Sequence, residues 1–262
     1  LAFQPDVRLP GVRVVLNQAV LPVKFHLVQA AAQFIRPPVT DRAGGDDFNE
    51  GKPFFGQAFR DGGYQMPGMK GGPAGVEPFV KLFQDTMMRV KYSQVPVIVA
   101  VSGVALGGGC ELVMQSARRV AAIESYIGLV EVGVGLLPAG GGLKEAAIRA
   151  AQGVSLAGST NYLDFTKGSF ENAAMAKVSS SAQEAMKMAY LQKGDIIVPN
   201  VYELLALAQS QVKAMRYSGY RPPIPTLIPV GGRSVASTVM GQVVNMRDGG
   251  FISEHDAHIA QK

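Results

Sequence analysis

The chain has 262 residues, 47% hydrophobic and 17% charged, a balance that belongs to a globular protein and excludes a disordered one. Such a length forms one large domain or a core with an appended segment, and it can bury a sizeable core. The net charge of +5 and pI of about 9.3 suit an acidic ligand such as a phosphorylated cofactor. The basic residues are scattered, with no Lys/Arg run interleaved with aromatics, which argues against nucleic acid as a partner. A single cysteine, Cys110, rules out an internal disulfide and a Cys cluster for zinc or iron–sulfur, and fits a reducing cytosol. The apolar tract Val14 to Phe34 is broken by Asn17, Gln18, Pro22, Lys24 and His26. It reads as neither a membrane span nor a signal peptide, so a soluble, cytoplasmic protein is expected.

In chain order, the β-branched run Gly11 to Asn17 predicts a strand. Asp41 to Gly75 holds ten glycines with Pro, Asp and Asn, and reads as loops. From Val76 to Tyr92, Phe79, Leu82, Phe83, Thr86, Met87 and Val90 recur at three- and four-residue spacing, the mark of a helix. Val95 to Val101 predicts a buried strand. Gly107, Gly108 and Gly109 turn the chain, and Glu111 to Arg119 is expected to be a helix closed by two arginines, as its dipole prefers. Val120 to Ile123 reads as a short strand, and Gly140-Gly141-Gly142 precedes a helix over Leu143 to Ala151. Ser181 with Glu184 three residues on gives a capping-box start to a helix through Met188. Ile196 to Val198 is a last short strand. Mostly helix is expected from Asn200 onward, interrupted at Arg221-Pro222-Pro223-Ile224-Pro225. Strands alternating with helices predict an α/β core over 1–198 and a helical C-terminal region over 199–262.

Two glutamates carry the chemical signal. Glu111 follows Gly107-Gly108-Gly109-Cys110, where backbone N–H groups can lie beside a carboxylate at a helix start. Glu131 stands in the apolar run Tyr126 to Pro138, where burial raises a carboxyl pKa. Together they supply donors for a developing oxyanion and two groups for proton transfer. Purely structural alternatives stand beside this reading. Glu111 can be a first-turn glutamate favoured by the dipole, and Glu131 can be salt-bridged to a distant arginine. Cys110 reads as a small buried apolar residue, because no histidine lies near it in sequence. Glu254-His255-Asp256-Ala257-His258 reads as a solvated helix end rather than a metal site. Met66, Met69, Met87, Met88, Met186 and Met188 read as packing, with Met87 also placed to line an acyl tunnel.

Ala105-Leu106-Gly107-Gly108-Gly109-Cys110-Glu111-Leu112, then Glu131 and Leu137-Pro138-Ala139-Gly140-Gly141-Gly142, resembles the crotonase superfamily and within it the enoyl-CoA hydratases. The tract Ala117-Arg118-Arg119-Val120-Ala121-Ala122 and the ending Gly250 to Asp256 are similar to the hydratase part of long bacterial 3-hydroxyacyl-CoA dehydrogenases of fatty-acid β-oxidation. No G-x-G-x-x-G follows a strand here, so the resemblance implies the hydratase part alone. Three positions depart from the family pattern. Gln57 and Phe59 stand at the family's glycine and polar positions in Phe54-Phe55-Gly56-Gln57-Ala58-Phe59, and Ala139 stands where the family has glycine.

The resemblance implies a crotonase-type ββα spiral core with a helical C-terminal part. It also implies a lyase activity, syn hydration of trans-2-enoyl-CoA to 3-hydroxyacyl-CoA. By it, Gly108 and Ala58 offer the two oxyanion-hole N–H groups, Glu111 orients water as base, and Glu131 protonates the α-carbon. CoA enters as part of the acyl-CoA substrate, with neither metal nor nicotinamide needed, and Lys24, Lys52 and Lys70 are candidates for its phosphates. A homo-oligomer, trimer or hexamer, or association with other β-oxidation domains is implied as well. The alternatives are a Δ3,Δ2-enoyl-CoA isomerase, which can operate with one carboxylate, and a non-catalytic acyl-CoA-binding module.

Overall fold

The structure is a computed structural model in which residues 7–9, 12–15 and 73–262 are described. Among them, β1 (Val7–Leu9), β2 (Val12–Val15), β3 (Ile98–Leu106), β4 (Arg118–Gly128) and β5 (Ile196–Val198) form one sheet in that order. β1, β2 and β3 pair antiparallel in turn, whereas β3, β4 and β5 are parallel. Parallel neighbours need a crossover. Between β3 and β4 that crossover is α2 (Gly108–Gln115), so the start of this helix lies at the C-terminal end of β3.

Alternation along β3 sends side chains to two apolar layers. Val99, Val101 and Ala105 pack with Cys110, Leu112, Val113 and Met114 of α2, and with Met87 of α1 (Pro73–Lys91). Ile98 and Ala100 face the other way, against Leu204, Ala208 and Val212 of α6 (Leu204–Tyr217). Those three recur every four residues, so one stripe of α6 covers that face. The remaining helices are α3 (Gly142–Leu156), α4 (Tyr162–Ala174), α5 (Ala182–Lys187), α7 (Gly232–Asp248) and α8 (Glu254–Ala260).

β5, α1 and the helices after Asn200 follow the sequence pattern, and residues 220–231, which include the proline cluster, hold neither helix nor strand. The helix expected over 111–119 ends instead at Gln115, and Arg118 and Arg119 open β4. The cause is tertiary. Arg119 Nε binds buried Asp195 at 2.7 Å and Nη2 binds Gln192 at 2.9 Å. Its Nη1 still reaches back to the Ser116 carbonyl at the helix end, at 3.0 Å, so the expected cation serves α2 from the strand.

β3 and β4 both run further than their apolar runs suggest. Their pairing continues past a register shift between Val101 and Gly103, where Ser125 Oγ donates within reach of the Ala122 carbonyl at 2.7 Å and of Val101 at 3.3 Å. Ser181 caps α5 as expected, accepting from Glu184 N at 3.2 Å. The Glu184 carboxylate, however, accepts from Ser180 rather than from the capping residue itself. A reciprocal capping box forms at Ser253 and Asp256, at the start of α8. No helix among the described residues is long and apolar enough to cross a membrane.

Candidate active site

β3 delivers the chain to Gly107, whose φ of 54° and ψ of −123° suit glycine. Its N–H donates to the Gly128 carbonyl at 2.9 Å, which ties the end of β3 to the end of β4. α2 then begins at Gly108, and its ladder starts with Glu111 N on Gly107 O at 2.9 Å. The N–H groups of Gly108, Gly109 and Cys110 precede that bond, so they have no intrahelical acceptor and the helix dipole points through them.

Glu111 is 1% exposed, and its Oε1 accepts from Gly142 N at 2.9 Å. Burial raises its pKa, while the backbone N–H groups of Gly142, Gly140 and Gly141 pull it back down. Glu131 opens a 3-10 turn over Glu131–Val134, just past the end of β4. Its Oε1 stands 3.4 Å from where a Cβ on Gly107 would be, which puts the carboxyl beside the start of α2. Among the described residues its Oε2 is buried with no hydrogen-bond partner. Burial first, and then the charge of Glu111, push its pKa up to about 7.

Each carboxyl is held by its own scaffold. At the end of β4, Ser179 exchanges hydrogen bonds with Ile127, at 3.0 Å from Ile127 N and 2.9 Å to its carbonyl. Leu129 N donates to the Tyr190 hydroxyl at 3.4 Å, and Leu136 N closes the turn on the Glu131 carbonyl at 2.9 Å. On the other side, Gln84 Nε2 holds the Ala139 carbonyl at 2.9 Å and Gln115 Nε2 holds that of Gly140 at 3.3 Å. The ring of Phe83 lies against both glycine-rich segments. A Cβ on Gly108 would sit 2.9 Å from its Cζ, and one on Gly140 would overlap both the ring and Glu111 Oε2. Glycine at 140 is therefore a requirement of close approach.

The structure thus brings together Glu111, Glu131 and Gly108; Ala58, Lys24, Lys52 and Lys70 lie outside the described residues. The salt bridge considered for Glu131 does not form among the described residues. Cys110 is fully buried and its thiol is pushed well up by burial, as befits a packing residue. Met87 is likewise buried in the core. His255 and His258 are exposed on α8, and His255 Nε2 lies 3.3 Å from the Gly135 carbonyl. No group of three His, Cys, Asp or Glu among the described residues could hold a metal. Sequence reasoning missed Phe83 as a site residue, and it missed Gln84 and Gln115. The only available signal for Gln115 was a polar residue one turn after Glu111 on an otherwise apolar helix.

A mixed α/β protein with a buried pair of carboxyls beside a glycine-opened helix is the class these features define. The enoyl-CoA hydratase/isomerase family model matches residues 55–161. A probable 3-hydroxyacyl-CoA dehydrogenase of Bacillus subtilis is 41% identical over 187 residues, which cover 71% of this chain and 23% of that protein. A putative fatty acid oxidation complex trifunctional enzyme of Rickettsia felis is 51% identical over 74 residues, 28% of this chain and 10% of that protein. Among solved structures, an enoyl-CoA hydratase from Bacillus anthracis aligns with 22% identity and a TM-score of 0.41, over 72% of this chain and 60% of that one. The chain belongs to the crotonase superfamily. It spans about a quarter or less of the length of these two relatives.

Proposed function

We propose that the chain is an enoyl-CoA hydratase, a lyase that adds water syn across trans-2-enoyl-CoA to give 3-hydroxyacyl-CoA in fatty-acid β-oxidation. The observation that carries this reading is the buried pair Glu111 and Glu131, one cradled by backbone N–H groups and the other with an oxygen that has no partner among the described residues. The thioester oxygen would accept from Gly108 N–H, with Ala58 N–H as the second donor. Each effective donor lowers the barrier by roughly 3–4 kcal/mol. Glu111, whose charged form the N–H groups favour, takes a proton from water as its oxygen bonds the β-carbon. The π electrons of the double bond pass toward the thioester oxygen, and Glu131, with a pKa of about 7, returns a proton to the α-carbon. The family description and the names of the two relatives support a CoA thioester of fatty-acid oxidation as the substrate. In this reading neither metal nor nicotinamide takes part. The chain works in the cytoplasm, as a homo-oligomer or beside other β-oxidation domains.

The test is loss of the enone absorbance of crotonoyl-CoA with the purified chain, beside Glu111→Gln and Glu131→Gln. Loss in the parent, slowed roughly 10²- to 10⁴-fold by either substitution, supports the reading. A folded Glu131→Gln that hydrates as fast as the parent overturns it. Binding of the ester without hydration turns the assignment toward the isomerase or the binding module, and a 3-enoyl-CoA separates those two.

A further inference from the structure

Gln115 is 2% exposed on α2, four residues after Glu111 and so on the same face of the helix. Both ends of its side-chain amide are engaged. Nε2 donates to the Gly140 carbonyl at 3.3 Å, and Oε1 accepts from Lys144 Nζ at 3.2 Å. The same Nε2 fills the space a Cβ on Gly141 would take, and Gly141 has a φ of 107° that only glycine adopts without strain. One residue further, Gly142 N donates to Glu111 Oε1 at 2.9 Å. A single helix therefore grips the Gly140–Gly142 turn twice, through Gln115 at one end and Glu111 at the other.

Lys144 is itself tied down. Its Nζ lies 2.9 Å from Glu145 Oε1, and the other oxygen of Glu145 takes Lys91 Nζ of α1 at 2.7 Å. Gln115 is thus braced from α3 and, through it, from α1.

We propose that Gln115 is a positioning residue: its amide locks the Gly140–Gly142 turn so that the turn's N–H groups face the Glu111 carboxylate. This deepens the hydratase reading and rests on it for the catalytic consequence, but the geometric consequence stands by itself. Peptide N–H groups stabilise a carboxylate only while they are aimed at it. Released from Gln115, the Gly140 and Gly141 peptides are free to rotate, and Glu111 keeps less of its anionic form. Among the described residues, the ionisable groups coupled to Glu111 are Glu131 on the 3-10 turn and the neighbouring Cys110. Arg149 of α3 and Tyr190 couple in turn to Cys110, and Lys144 reaches Gln115. A neutral substitution at 115 changes none of these charges.

The test uses Gln115→Met, which keeps the volume without the hydrogen bonds, and Gln115→Asn, which keeps the amide one methylene short of Gly140. The carboxyl of Glu111 is titrated by carbon-13 NMR of glutamate-labelled chain without substrate, its signal assigned by its loss in Glu111→Gln. Both variants should raise the Glu111 midpoint by about half a pH unit or more. If the parent hydrates crotonoyl-CoA, both should also lower kcat about 10-fold with KM within about twofold, and shift the acidic limb of the rate profile to higher pH by the same interval. Midpoints that superimpose on the parent in a folded variant overturn the proposal. Because the titration needs no turnover, a parent without hydratase activity refutes the functional reading and leaves the positioning role to be decided by the midpoints.

Discussion

Glu131→Gln should make this protein more stable in base while leaving its stability in mild acid unchanged. Glu131 has its pKa raised from 4.5 to about 7 by burial and by Glu111. A carboxyl that holds its proton more tightly when folded than when unfolded makes the folded state bind more protons between those two values. Stability then falls as pH rises through that window, because the folded chain must either ionise a desolvated group or keep a proton that the unfolded chain releases. The interval of about 2.5 units, at about 1.4 kcal/mol per unit, amounts to roughly 3 kcal/mol, all of it lost by about pH 8 and none by about pH 4. Glutamine has the same shape and cannot ionise, so the variant escapes the loss. For a chain of this size, 1 kcal/mol corresponds to roughly 2–4 °C in Tm. Thermal unfolding of parent and variant, followed by circular dichroism at about pH 5 and about pH 8, should show near-coincident curves in acid and a variant melting roughly 6–12 °C higher in base. A difference between the two proteins that is the same at both pH values would refute the reasoning, since it would mean that Glu131 ionises in the fold as freely as in the unfolded chain.

Two further outcomes follow from the geometry. Gly140→Ala puts a methyl group onto the Phe83 ring and Glu111 Oε2; it should destabilise the fold by about 1–3 kcal/mol in urea titration, and abolish crotonoyl-CoA hydration even where the chain remains folded. Asp195→Ala leaves the buried guanidinium of Arg119 without its 2.7 Å partner, and should lower the unfolding free energy by about 3–5 kcal/mol with no change in the pH dependence set by Glu131.

What could be read in the sequence was what local chemistry decides. Glu111 after three glycines, Glu131 in an apolar run, the heptad-like face of α1 and the β-branched run of β5 all announce themselves within a few residues. The end of α2 does not, because Arg119 is drawn into β4 by Asp195, 76 positions away. The dipole argument gave the right cation and the wrong element. The continuation of β3 and β4 past Gly103 and Ser125 is equally hidden: both look like breaks, and the cross-strand pairing that carries the strands through them is not local. Gln115 was invisible as a site residue for the same reason, since its partners Gly140 and Lys144 lie 25 and 29 positions further on. The placement of Phe83 over Gly108 and Gly140 depends on how α1 docks, which the spacing of its apolar residues does not determine.

The site also explains why its carboxyls are held by peptide groups rather than by a cation. Arg149 is buried close enough to Cys110 to affect its thiol, so a guanidinium is within the neighbourhood of the two glutamates. Both of its terminal nitrogens are nevertheless committed elsewhere: Nη2 binds the Met114 carbonyl at 2.9 Å, and Nη1 binds the carbonyls of Ala189 and Tyr190. These bonds anchor the last turn of α2 and the segment whose Tyr190 hydroxyl steadies Leu129, two residues before Glu131. An arginine paired directly with either glutamate would fix its charge and pull its pKa down by one to three units, roughly. Peptide N–H groups orient the carboxyl with a smaller bias, so a proton can still be gained or lost. Arg149 therefore stabilises both scaffolds without neutralising either acid. The proposed hydration, which takes one proton and returns another, needs that division of labour.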